Sequence, residues 1–160
     1  MTTRVTPHSH VPPGFEFSDD ATRMDRARIH QWLSAESYWA AGRLRTIQDA
    51  AIDASRNFGI FRAGTGEQVA YARVVTDGVT FAWLCDVFVD SSVRGTGIGV
   101  ALIDGVCSAL EPRHLQRITL ATADAHGLYR KFGFEPLAAS ERWMTKEAQP
   151  PRNRQPNSAP

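Results

Sequence analysis

The strongest constraint on this chain is a change of hydrophobic period. From Phe58 to Arg62, Val69 to Val75 and Phe81 to Val89, apolar and polar residues alternate, the period of two that suits a strand with one covered face. Ala63-Gly64-Thr65-Gly66 separates the first two runs and Asp77-Gly78 the last two. Asp-Gly between alternating runs is a strong hairpin signal, because both residues tolerate the positive φ of a tight turn. The expectation is an antiparallel meander of three strands. The period then becomes helical: from Gly97 to Leu110, Ile98, Leu102, Val106 and Leu110 share one stripe before Pro112 ends it.

Weaker signals fill in the rest. A short strand is expected at Phe15 to Ser18, then a helix capped by Asp19 or Asp20 with Ile29, Trp32 and Leu33 on one face. A second helix is expected from Gly42 to Ser55, presenting Leu44, Ile47 and Ala51. After the long helix, Arg117 to Thr122 reads as a buried strand. Asp124 is placed to cap a helix from Ala125 to Phe132 that ends at Gly133. Phe134 to Leu137 and Glu141 to Lys146 read as closing strands. At 160 residues, 42% of them hydrophobic, the chain has the size and apolar content of one domain. The expected folded unit is 14–146, with flexible tails at 1–13 and 147–160.

A formal charge of +1 gives no electrostatic footprint for nucleic acid. Cys85 and Cys107 lie in apolar runs, cannot form a disulfide framework and have no histidines at ligand spacing, so reduced core thiols and no metal are expected. No run of about 18 apolar residues and no signal-peptide core is present, so neither membrane nor export is expected, and the location read from the sequence is cytoplasmic.

The most informative stretch runs from Val87 to Leu102: a strand end, a loop with glycines at 95, 97 and 99, and a helix start. Alternate glycines let an anion approach the backbone, and the helix N-terminus adds its partial positive charge, so the loop reads as a pyrophosphate cradle. A P-loop would close with Gly-Lys-Ser/Thr, and a dinucleotide fingerprint would need G-x-G-x-x-G inside a βαβ unit. The pattern here is Arg-x-x-Gly-x-Gly after a meander. With Arg94, Gly97 and Gly99 it resembles the acyl-CoA signature of the GNAT superfamily of acetyl-CoA-dependent N-acetyltransferases. Gly95 and Ile98 match its extended form. Ala125-His126-Gly127-Leu128-Tyr129, running on to Gly133-Phe134, resembles the same family's second signature. In addition, 34–39 and 72–77 look like a branch of small bacterial members. One departure is Thr122, where many members have Asn.

The resemblance implies an α/β (α+β) GNAT fold: a mostly antiparallel sheet of about seven strands, about four flanking helices, and a splayed central strand pair. It implies that acetyl-CoA is held by Val87, Phe88 and Val89 along the splayed strand and by Arg94, Gly95, Thr96, Gly97, Ile98, Gly99 and Val100 at the loop. A backbone N–H of that strand would stabilise the tetrahedral oxyanion. It also implies that Tyr129 is the general acid for the CoA thiolate, with direct transfer in a ternary complex.

For the base, the candidates are Asp86, Glu36 and His126. Asp86 draws attention because a carboxylate amid 81–89 is costly to bury unless paired or used, a salt bridge to Arg73 being the alternative. Simple alternation puts Asp86 on one face with Ala82, Leu84 and Phe88, opposite Trp83, Cys85 and Val87. Tyr38, Trp39 and Trp83, with Glu36 and His126, are candidates for the acceptor pocket. Asp86 and Glu36 hint at a cationic small-molecule amine. A homodimer is compatible with the resemblance. A non-catalytic acyl-CoA-binding module, and an acetyltransferase acting on a protein or a charged tRNA, are the competing readings.

Overall fold

A computed structural model describes residues 11–148; most of both expected tails lies outside the described residues. One five-stranded sheet carries the fold, in the spatial order β1-β2-β3-β4-β5. The strands are β1 (Phe15–Ser18), β2 (Arg56–Arg62), β3 (Gln68–Thr76), β4 (Phe81–Val89) and β5 (Arg117–Thr119). The first four pair antiparallel, and β5 runs parallel to β4. The meander forms as expected, and its β3–β4 turn is held by the Asp77 carboxylate, which accepts from the Val79 and Thr80 N–H groups.

Four helices pack on the sheet: α1 (Arg26–Gln31), extended by a π-helical turn over Trp32–Glu36, then α2 (Arg45–Asp53), α3 (Ile98–Leu110) and α4 (His126–Arg130). The stripe on α3 is buried as its period requires: Ile98, Leu102, Val106 and Leu110 are each 1% exposed or less. Each such side chain contributes about 2 kcal/mol relative to exposure. On this face α3 meets Phe58, Ile60, Ala70, Ala72, Val74, Ala82 and Leu84. On the other, Met24, Ile29, Trp32, Leu33 and Ile52 cover Phe61, Tyr71 and Phe88.

Several expectations are corrected. The first helix is capped by Asp25, whose carboxylate accepts the Arg28 N–H; Asp20 instead caps a 3-10 turn over Ala21–Arg23. Helix α2 buries Gln48 and Ile52 and leaves Leu44 and Ile47 exposed. Leu44 precedes the helix as its N-cap and so does not share its inward face, and the inward Gln48 amide oxygen accepts from Arg43. The N-cap of α4 is Ala125, and Thr122 rather than Asp124 accepts the Ala125 N–H through its hydroxyl.

The two closing strands are absent, so the described sheet has five strands rather than about seven. In 134–137 Pro136 has no N–H to give a ladder. Ala139, at φ +53°, starts a 3-10 turn over Ser140–Arg142 in place of the second strand.

Strand β4 also departs from simple alternation. Its register against β3 shifts between Tyr71 and Arg73: Tyr71 faces Phe88, whereas Arg73 faces Cys85. One extra residue is therefore accommodated in β4, and Asp86 takes it up with φ +52°, a left-handed conformation that Asp tolerates better than most residues. Ala82 and Leu84 face α3, but beyond the bulge it is Val87 and Val89 that do so, while Phe88 joins the α1 side. Asp86 thus shares a face with Cys85 and Phe88 and not with Ala82 and Leu84, correcting the period-two reading.

Candidate active site

Strand β5 pairs with β4 only from Phe81 to Trp83. Beyond that point the two strands diverge, and the β5-facing backbone groups of 84–89 have no strand partner among the described residues. A cleft of about 740 Å³ opens there, between Leu84, Val87 and Val89 on one wall and Leu120, Thr122 and Tyr129 on the other. The expected splayed pair is present.

The glycine loop stands at the C-terminal end of β4. Asp90 anchors it: the carboxylate accepts from the Ser92 N–H at 2.9 Å and the Trp32 indole at 3.1 Å, and meets Arg28 at 3.4 Å. Gly95 and Gly97 have φ of +77° and +88°, which L side chains rarely adopt. Gly97 is the N-cap of α3 and offers no side-chain acceptor, so the first-turn N–H groups are left for an incoming anion. At Gly99 an added Cβ would meet Val89 and Leu128 at 3.7 and 3.9 Å. These features fit the pyrophosphate of a CoA thioester. Ile98 is buried and Val100 half-buried, so only their backbone is free for the loop's use. The Thr96 hydroxyl donates to the Val93 carbonyl. Arg94 folds back, donating to the Val89 carbonyl at 2.9 Å with its guanidinium over the Phe88 ring.

Tyr129 reaches the cleft from α4. It is 7% exposed and stacks edge-to-face on Phe134. Burial, then the charges of Asp124 and Tyr38, pushes its phenol up to about 12, so it is protonated at neutral pH.

Across the cleft, Asp86 is 3% exposed and fully engaged. It receives Arg43 at 2.7 Å, Arg73 at 2.9 Å and the Trp39 indole N–H at 3.2 Å. Burial alone would raise its pKa; the Arg43 hydrogen bond and the Arg73 charge outweigh it and hold the carboxyl below its ordinary value. A carboxylate so held is a poor proton acceptor, and it is the ion pair with Arg73, joined by Arg43, that the geometry displays. Cys85 beside it is half-buried and free, its thiol pushed up to about 11 by burial. Cys107, on α3, is likewise free and half-buried.

Tyr38 and Trp39 roof the mouth. Tyr38 accepts the Ala123 N–H through its hydroxyl at 3.1 Å while Trp39 reaches Asp86, and the two rings meet edge-to-face. Trp83, 37% exposed, lines the same cleft. Glu36 is exposed and does not line it, and His126 lines a neighbouring cleft of about 460 Å³ beyond β5. The structure therefore assembles Tyr38, Trp39, Trp83, Asp86 and Tyr129 around one space, without Glu36 or His126. Sequence reading missed Arg43, which lies in the turn before α2 with no periodic signal. It placed Arg73 only as a possible partner of Asp86.

Comparison with known proteins agrees with this geometry. Residues 26–134 match the model of the Acetyltransferase (GNAT) family. The chain is 34% identical over 151 residues to "Putative acetyltransferase FG08082" of Gibberella zeae, covering 82% of this chain and 84% of that protein. It is also similar to "Serotonin N-acetyltransferase 2, chloroplastic" of Oryza sativa subsp. japonica, at 36% identity over 73 residues, 45% of this chain and 36% of that one. The crystal structure of a GNAT-family protein from Xanthomonas campestris pv. campestris, titled a putative acetyltransferase, superposes with a TM-score of 0.80 at 40% identity, covering 86% of this chain and 96% of that one. Fold, glycine loop and cleft together with these matches show that the chain belongs to the GNAT acetyltransferase family.

Proposed function

We propose that the chain transfers the acetyl group of acetyl-CoA to a primary amine, directly and within a ternary complex. One observation carries this reading: a strand edge without a strand partner among the described residues and a buried tyrosine border one cleft, and the uncapped, glycine-bearing helix N-terminus follows directly from the end of that strand. The thioester supplies an activated acetyl group and a sulfur leaving group. The loop over 95–99 offers N–H groups to its phosphates, and the open edge of β4 offers backbone partners to its amide-bearing arm and an N–H to the developing oxyanion.

The amine nitrogen forms the new bond to the acetyl carbon as the C–S bond breaks. The sulfur takes the Tyr129 proton, and the surplus proton of the nitrogen leaves to water, from which the phenolate is reprotonated. Tyr129 suits this role by position, since it lines the cleft beside the open strand edge, and as a phenol it is protonated at neutral pH. Asp86 serves as a fixed charge that positions Arg43, Arg73 and Trp39. An amine acceptor also agrees with the name of the rice relative, which specifies N-acetylation of an amine.

The test combines binding and turnover. Acetyl-CoA and CoA should raise the melting temperature where ATP and NAD at equal concentration do not, since a ligand at 100 times its Kd adds about 2.7 kcal/mol. Absence of a CoA-specific shift would overturn the donor assignment. Tyr129→Phe should lower kcat about 100-fold with acetyl-CoA binding unchanged; a full rate would remove Tyr129 from the chemistry.

A further inference from the structure

The wall beside the β4 bulge carries more positive than negative charge. Asp86 is its carboxylate, and it faces two guanidiniums, so the cluster of Arg43, Arg73 and Asp86 bears one net positive charge. The other charged group lining the cleft is Asp124, exposed on the opposite wall near Tyr129. Each arginine spends only part of its fork. Arg43 gives Nη1 to Asp86 and Gln48, while Arg73 gives Nε to Asp86 and Nη1 to Ser55. The remaining N–H groups have no partner among the described residues, and none of these nitrogens is both buried and unpaired. Both arginines line the cleft, with side chains 20% and 14% exposed.

Position adds to charge. Arg73 lies directly across the ladder from Cys85, and directly opposed residues have Cβ atoms about 5 Å apart. The free donors are thus one side chain away from the open stretch of β4 where an acceptor nitrogen must arrive. Trp39 and Trp83, 43% and 37% exposed, and Val75 supply apolar surface around them. A planar fork with unspent donors recognises a carboxylate and repels a polycation.

From this we infer that the acceptor is a primary amine carrying a carboxylate close to its nitrogen, an amino-acid type of substrate. Arg73 and Arg43 hold the carboxylate, and Trp39 and Trp83 hold the apolar body. The inference rests on the transfer reading above and leaves its bond changes unaltered. It replaces the cationic acceptor, whose two supporting carboxylates are respectively neutralised and outside the cleft.

The deciding experiment compares matched acceptors at saturating acetyl-CoA: phenylalanine and tryptophan, their amides, and the corresponding decarboxylated amines. The free acids should react with kcat/KM at least tenfold above their neutral partners. Arg73→Met should raise KM for the acids tenfold or more and for the amides far less. Calorimetry with N-acetylphenylalanine and its amide reads the same preference without turnover and on the unmodified protein, whether or not the variant folds. Equal or better use of the neutral amines, or equal binding of acid and amide, overturns the inference. If no amine of any kind is acetylated, it is the transfer reading that fails, and the calorimetric comparison still decides the carboxylate site.

Discussion

The two halves of the candidate site are built on opposite principles. On the proposed donor side, the loop over 95–99 and the open edge of β4 present backbone, and what the sequence supplies there is mostly the lack of side chains at Gly95, Gly97 and Gly99. On the proposed acceptor side, Trp39, Arg43, Arg73 and Asp86 come from three separate segments and meet only as side chains. A backbone site is damaged by adding atoms and a side-chain site by removing them. The donor wall can therefore stay constant while the acceptor wall is rewritten.

Removing atoms from the acceptor wall should have the largest effect. Asp86→Ala leaves two half-buried guanidiniums facing each other and should cost about 3 kcal/mol of stability in chemical denaturation. A loss below about 1 kcal/mol would mean that the wall does not depend on its side chains. The same carboxylate sets a pH limb. Its pKa is depressed in the folded state, so its stabilisation is complete above the ordinary carboxylate range near 4 and is lost as pH falls through the folded value. Asp86→Asn should flatten that acid limb of the stability curve.

Adding atoms to the donor wall comes next. Gly97→Val forces a branched side chain into φ +88° at the mouth of the loop, at a backbone cost of about 1–2 kcal/mol. Acetyl-CoA affinity, read by calorimetry, should fall ten- to a hundredfold, with acceptor-product binding unchanged. Equal loss on both sides would erase the contrast between the walls. The smallest effect is expected at Thr122→Ala, which removes the hydroxyl that receives the Ala125 N–H. It should lower stability by about 1 kcal/mol and reduce kcat more than it weakens either substrate, because α4 carries Tyr129.

The same contrast explains what could be read in the sequence. The loop over 95–99 was legible because the positive φ at Gly95 and Gly97 demands glycine, so its conformation is written in residue type. The meander and α3 were legible because Asp77-Gly78 and the Ile98 stripe each obey one local rule. Helix α2 was not, since Leu44 falls outside it as the N-cap and the inward face is carried by Gln48 and Ile52 instead of Ile47. Nor were the absent closing strands, where the alternation in 141–146 had no neighbouring strand to pair with. On the acceptor wall Tyr38, Trp39, Trp83 and Asp86 could be named but not joined, because Arg43 and Arg73 meet Asp86 across 43 and 13 positions of sequence.

The bulge at Asp86 also acts on the chain as a parity counter. Upstream of it the even-numbered residues of β4 face α3, and downstream the odd-numbered ones do. Deleting one residue here would not merely shorten the strand. It would exchange the two faces for whichever half is forced to move, sending Phe88 toward α3 or Leu84 toward the α1 side. Substitutions can therefore accumulate along this strand one at a time, whereas a change in its length must be matched by a second change that restores the count.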